Sequence, residues 1–240
     1  MTKPSQRNYV RIIAANFAAV LALHSMGSFA ATEAAAAASS AAPAEATATV
    51  TEHEFVIPTL KTDAEEVTAH EVVSQVTDAV LAIVAKVQEE NADVDEAALA
   101  LDELLSQVVD FKFIILNVME QNARTASREQ LQGFADVFKA GLIETYAKGM
   151  TNFVGYEVAL VPPADNTVGM KTVNVQQEVK GANGTSVVSY TMAIDKNNHW
   201  VLRNMVLNGI NLGKQFRNQF RVAIKKNEND LDKVIAQWNA

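Results

Sequence analysis

The feature that most constrains this chain is a change of hydrophobic period near Thr151. Ahead of it, Val72, Val73, Val76, Val80, Ile83, Val84 and Val87 recur three and four residues apart, the spacing of one helix face. Behind it the period is two. Val173, Val175 and Val179 share one parity, with Gln177 as the exception, and Val188, Tyr190, Met192 and Ile194 alternate with Val187, Ser189, Thr191 and Ala193. Asn183-Gly184 between these runs is a hairpin signal. "WVLRNMVL", from Trp200, is the last strand, and an amphipathic helix follows the bend at Asn208-Gly209. Helices, then a meander of about four strands, then one or two C-terminal helices give an α+β fold. N-terminal helices are expected on a roughly four-stranded antiparallel or mixed sheet.

The helical half has its own punctuation. Thr62 or Asp63 is the expected cap of the first helix, with Glu65 and Glu66 in its first turn, where acids suit the positive end of the dipole. A second helix follows Asp95, carrying Leu99, Leu101, Leu104, Leu105 and Val108. Ser127 and Gln130 form a capping box. Behind them, Leu131, Phe134, Ala135, Phe138, Leu142 and Tyr146 make a broad apolar face that ends near Gly149.

The N-terminus reads as an address. Lys3, Arg7 and Arg11 precede the apolar run Ile12–Leu23, and "SFA" places cleavage after Ala30. The run is short of the roughly 20 residues a membrane span needs. Residues 1–30 are therefore expected to be a signal peptide, 31–61 an Ala-rich disordered tether, and 62–240 the folded domain. The formal net charge of -8 argues against nucleic acid as a partner. The chain has no cysteine, which excludes disulfides and thiolate metal sites.

Motifs that carry chemistry are missing. His24 leaves with the signal peptide, His53 lies in the tether, and His70 and His199 belong to no HExxH pattern. Asp93 to Glu103 lacks the central glycine of a calcium loop. No GxSxG, GxGxxG or Walker loop occurs. No metal or cofactor is expected. Triads are assembled in space, so a small-molecule enzyme or binder on a cone-shaped α+β fold is the alternative function.

What the sequence has in surplus is apolar surface. Counted by parity, Trp200, Leu202 and Val206 point to one face of the last strand, and Val201, Met205 and Leu207 to the other. Such a surplus either lines a ligand pocket or packs under helices on both sides of the sheet. On the helix after the bend, Leu212, Phe216, Phe220, Ala223 and Ile224 share one side, with Lys214, Arg217, Arg221 and Lys225 around it. That is either a surface helix with a buried stripe, or a cavity wall whose cations stand at the rim.

"VVDFKFIILNVM", "ASREQLQGFADVFKAGLIETYAKGM" and "HWVLRNMVLNGINLGKQFRNQF", in that order, resemble the MlaC-like periplasmic phospholipid-binding proteins, also called the toluene-tolerance family. The likeness runs from about Val67 to Trp238. It departs from the common family pattern at Arg203-Asn204, where Tyr-Asp is usual. The resemblance implies a monomeric, non-enzymatic periplasmic carrier of a Gram-negative envelope. Such a carrier shuttles glycerophospholipid between an outer-membrane lipoprotein–porin complex and an inner-membrane ABC transporter with an MCE-domain ring, maintaining outer-membrane lipid asymmetry. Phospholipid would be cargo, with its tails in an apolar cavity between helices and sheet. Phe138, Leu142, Tyr146, Val188, Tyr190, Met192 and Phe216 would wall that cavity, with Arg217 at the rim. Val76, Val80, Val173 and Leu202 complete the expected lipid-binding set.

Overall fold

The computed structural model describes residues 55–90, 92–150, 156–163, 167, 169–181 and 184–238. The expected signal peptide, most of the tether and the turn residue Asn183 lie outside the described residues. Described residues ahead of Thr62 take part in the packing. Phe55 and Ile57 pack on the core and Leu60 is buried. The Leu60 N–H donates to Gln107 Oε1 at 2.9 Å and the Lys61 N–H donates to Gln75 Oε1 at 2.9 Å.

Helix α1 spans Ala69–Glu89, α2 Val94–Ser106, α3 Phe111–Met119, α4 Asn122–Thr125 and α5 Arg128–Met150. The cap of α1 is Thr68, not Thr62 or Asp63. Thr68 and Glu71 form a capping box, which satisfies two orphan N–H groups at once. The earlier candidates are engaged elsewhere. The Thr62 carbonyl accepts from Trp200 N at 2.8 Å, the Thr62 hydroxyl lies 2.8 Å from His199 Nδ1, and Asp63 bridges His199. The expected Ser127–Gln130 box is formed at the start of α5. On α2, Ala97, Ala100, Leu101, Leu104 and Leu105 are buried, so Leu99, about 200° from Ala97 around the axis, points to solvent.

Among the described residues five antiparallel strands follow in sequence order: β1 Glu157–Val161, β2 Thr172–Gly181, β3 Gly184–Ile194, β4 Trp200–Leu207 and β5 Ile210–Asn211. The fifth is two residues long and pairs back across the Asn208-Gly209 bend. Both bend residues have positive φ, 47° and 83°, which Asn and Gly tolerate best. Helices α6, Leu212–Lys226, and α7, Leu231–Gln237, follow.

The parity expected for β4 does not hold. Thr191 pairs with Asn204 and Met192 with Leu202, so Arg203 is an extra residue at a β-bulge. The bulge puts Leu202, Met205 and Leu207 on one face, opposite Met192, Tyr190 and Val188. Part of the two-sided apolar surplus was therefore a count carried through an irregular strand.

The described residues form two core clusters. One joins α1, α2 and the C-terminal part of α5 to the inward residues of the sheet. The other joins α3, α6, α7 and the N-terminal part of α5 around Phe134, Phe138, Phe220 and Trp238. Helix α5 belongs to both.

Candidate functional site

A narrow apolar cleft lies between α1 and the inward face of the sheet. Helix α1 contributes Val73, Val76, Thr77, Val80 and Leu81, on one side because they are spaced three and four apart. Leu105 and Val108 line it from α2 and the turn that follows. The other wall is Val158 on β1, Gln177 and Val179 on β2, Val188, Tyr190 and Met192 on β3, and Leu202 on β4. The strand residues converge because cross-strand pairing places Gln177 opposite Val188, and Met192 opposite both Val173 and Leu202. Among the described residues no ionisable acid or base other than the Tyr190 phenol lines the cleft.

The cleft is narrow. Its volume is about 50 Å³, room for about three or four waters. Pockets that hold drug-sized ligands are roughly 300–1,000 Å³.

One polar chain crosses this apolar space. Tyr190 Oη donates to Gln177 Oε1 at 2.9 Å, Gln177 Nε2 donates to Thr77 Oγ1 at 2.7 Å, and Thr77 Oγ1 donates to the Val73 carbonyl at 2.7 Å. Burial pushes the Tyr190 phenol well above its ordinary value, so it stays a donor at every physiological pH. The buried Tyr146 phenol is raised by the same cause, with Tyr190 as a smaller one.

The structure divides the expected lipid-binding set. Val76, Val80, Val188, Tyr190, Met192 and Leu202 lie along the cleft. Tyr146 and Val173 sit in the same core cluster without lining the cleft. Phe138, Leu142 and Phe216 belong to the other cluster. There the Phe138 and Phe216 rings meet edge-on at 5.0 Å, and Phe134, Phe220 and Trp238 fill the space around them. None of these three residues lines the cleft; each packs within the second cluster. Arg217 lies away from the cleft, in an open depression with Leu116, Asn117 and Arg124. Its Nε donates to the Asn117 carbonyl at 3.0 Å and lies 3.5 Å from Glu120. On α6 the surface-helix reading is the one the packing supports.

Sequence reasoning missed Thr77 and Gln177. The signal was present, because Gln177 breaks the valine parity of β2. Arg203-Asn204, where the sequence leaves the common family pattern, has internal partners: Arg203 Nε lies 3.1 Å from Asp110 Oδ2, and Asn204 Oδ1 accepts from Gly213 N at 3.2 Å. Among the described residues no three His, Asp or Glu side chains are placed to hold a metal ion. None of the described helices is long and apolar enough to cross a membrane.

Comparison with known proteins decides the family. The model of the MlaC protein family matches residues 74–240. The chain belongs to the MlaC family. Toluene tolerance protein ttg2D of Pseudomonas putida, a similar protein, is 38% identical over 141 residues. That match spans 58% of this chain and 64% of the relative, so it covers less than two thirds of the relative's length. A phospholipid-binding protein from Ralstonia solanacearum, solved in complex with a phospholipid, superposes with a TM-score of 0.62 at 25% identity. The superposition covers 71% of this MlaC family member and 98% of the Ralstonia chain, so the α+β framework is common to both.

Proposed function

We propose that this MlaC family member is a periplasmic phospholipid carrier. It holds the tails of a glycerophospholipid in the cleft between α1 and the sheet and carries it between outer- and inner-membrane complexes. The observation that carries the reading is the apolar cleft itself, on a framework that in the Ralstonia protein holds a phospholipid. Apart from Thr77 and Gln177 the walls are Val, Leu, Met and Tyr, and among the described residues no acid–base pair stands between them, which favours binding over catalysis. Two acyl tails bring several hundred Å² of apolar area, so enclosing them yields on the order of 10 kcal/mol.

A cleft of about 50 Å³ admits no tail as it stands. Loading therefore requires α1 and the sheet to part, and the displaced apolar contacts are replaced by contacts with the guest. The net charge of -8 repels the carrier from anionic bilayers, which favours transfer between docked complexes over adsorption to a membrane. The signal peptide expected at residues 1–30 supports export.

The test is lipid mass spectrometry on protein purified from a Gram-negative periplasm without detergent, followed by incubation with phospholipid vesicles. Phospholipid is expected at near-stoichiometric load in one of the two preparations. Its absence from both sinks the reading.

A further inference from the structure

The four inward positions of β2 are Val173, Val175, Gln177 and Val179, and Gln177 is only 3% exposed. The fold has no need of an amide there. The β2 ladder is made by backbone groups, and a fourth valine would continue the stripe. A buried amide is costly unless every strong hydrogen-bonding group finds a partner, so its presence calls for a purpose.

The directions of the three bonds are fixed by their partners. The Thr77 hydroxyl spends its only proton on the Val73 carbonyl, so it can only accept from Gln177. The Gln177 atom facing Thr77 is therefore the NH₂, and its carbonyl accepts from Tyr190. Two of these bonds lie within one wall. Thr77 to Val73 stays inside α1, and Tyr190 to Gln177 stays inside the sheet. Gln177 to Thr77 is the bond that spans the cleft.

Parting the walls to admit a tail breaks that bond and has one consequence. Thr77 keeps the bond it donates, Tyr190 keeps its acceptor, and Gln177 Nε2 is left with an N–H facing the space the lipid enters. Hydrocarbon offers it nothing. The carbonyl oxygen of an acyl ester, at the head of each tail, is an acceptor. Thr77 is half-buried, so the break lies towards the surface, where the glycerol end of a lipid that enters tails first would stand.

We propose that Gln177 reads the acyl-ester linkage: on loading it exchanges the Thr77 hydroxyl for an ester carbonyl, which makes the cleft selective for ester-linked over ether-linked glycerolipids. The inference rests on the phospholipid reading above. An ether oxygen is a far poorer acceptor than an ester carbonyl, so a dialkyl lipid of equal chain length leaves the amide unsatisfied.

The test uses the purified full chain and vesicles containing equal amounts of a diester phosphatidylglycerol and its di-O-alkyl analogue with the same chains. The bound lipids are counted by mass spectrometry. The wild-type protein is expected to take up the diester in roughly tenfold excess. The Gln177→Leu/Tyr190→Phe double variant, which leaves no hydroxyl without an acceptor, is expected to take up both in near-equal amounts. Equal uptake by the wild type overturns the ester-reading role and leaves lipid carriage standing. A preference retained in the folded double variant overturns the assignment to Gln177. Uptake of neither lipid by the wild type removes the carrier reading as well. The wild-type ratio requires no substitution, so the proposal can fail even where the variant does not fold.

Discussion

Arg221 grips Glu120 with two donors, its Nε and Nη2 each 2.8 Å from a carboxylate oxygen. The pair fastens α6 to the end of α3, and Arg217 adds a contact at 3.5 Å. Glu120 holds this position at φ 51° and ψ -123°, a conformation that L residues avoid and glycine accepts. Two opposed effects therefore meet in one residue. Glu120→Ala loses the ion pair and keeps the backbone strain, while Glu120→Gly loses the pair and relieves the strain. The glycine variant is expected to be the more stable of the two in urea titrations. Equal midpoints would mean that the corner relaxes freely once the arginines let go.

The same pair makes a pH prediction. Hydrogen bonding from Arg221 is the largest cause holding the Glu120 carboxyl below its ordinary value. A carboxyl depressed in the folded state contributes fully above its unfolded pKa, about 4.3. That contribution is lost as pH falls through the lower folded value. Glu71, depressed first by the Thr68 N–H, behaves alike. Glu120→Gln is expected to lose stability relative to wild type at pH 7, with the gap closing below about pH 4. The measurement is the difference in urea midpoint between the two proteins across that window. A gap independent of pH would show that the charge is not what matters.

Asp110 has two tasks, one for each oxygen. Oδ1 accepts from the Phe113 N–H at 3.0 Å and caps α3, while Oδ2 meets Arg203 at 3.1 Å. The guanidinium lies 4.7 Å from the centroid of the Phe113 ring. Asp110→Ala removes cap and ion pair together and is expected to cost about 1–2 kcal/mol. Asp110→Asn keeps an oxygen for the cap and is expected to cost less than half of that. Equal losses would assign the effect to the Arg203 contact alone.

The sequence carried the fold further than it carried the site. The switch of period at Thr151 separates helices from sheet because burial of one face imposes each period directly. The stripe Leu212, Phe216, Phe220 and Ile224 on α6 is buried as its spacing requires. The bulge at Arg203 was invisible, since one extra residue in a strand leaves no compositional mark and reverses the parity beyond it. The α1 cap was misplaced because Thr62 and Asp63 have cap chemistry, and only tertiary contacts with His199 and Trp200 show that it is used elsewhere. Phe138 and Tyr146 share one helix face eight residues apart, about 12 Å along the axis. Periodicity shows that both are buried and says nothing of which core each enters.

That division of α5 gives the sharpest functional prediction. Val76 lines the cleft from α1 and is half-buried, so a larger side chain there can occupy the gap while part of it stays at the surface. Val76→Trp is expected to keep the fold and reduce phospholipid load roughly tenfold or more, since the ring fills space that a tail requires. Phe138 is fully buried in the other cluster, against Phe216 and Trp238. Phe138→Leu is expected to lower the melting temperature and leave the lipid load of the folded fraction unchanged. Lipid per folded protein, from mass spectrometry and circular dichroism on the same samples, separates the two. The reverse result, with load falling in Phe138→Leu and holding in Val76→Trp, would move the binding site from the face of the sheet to the space between α3, α5 and α6.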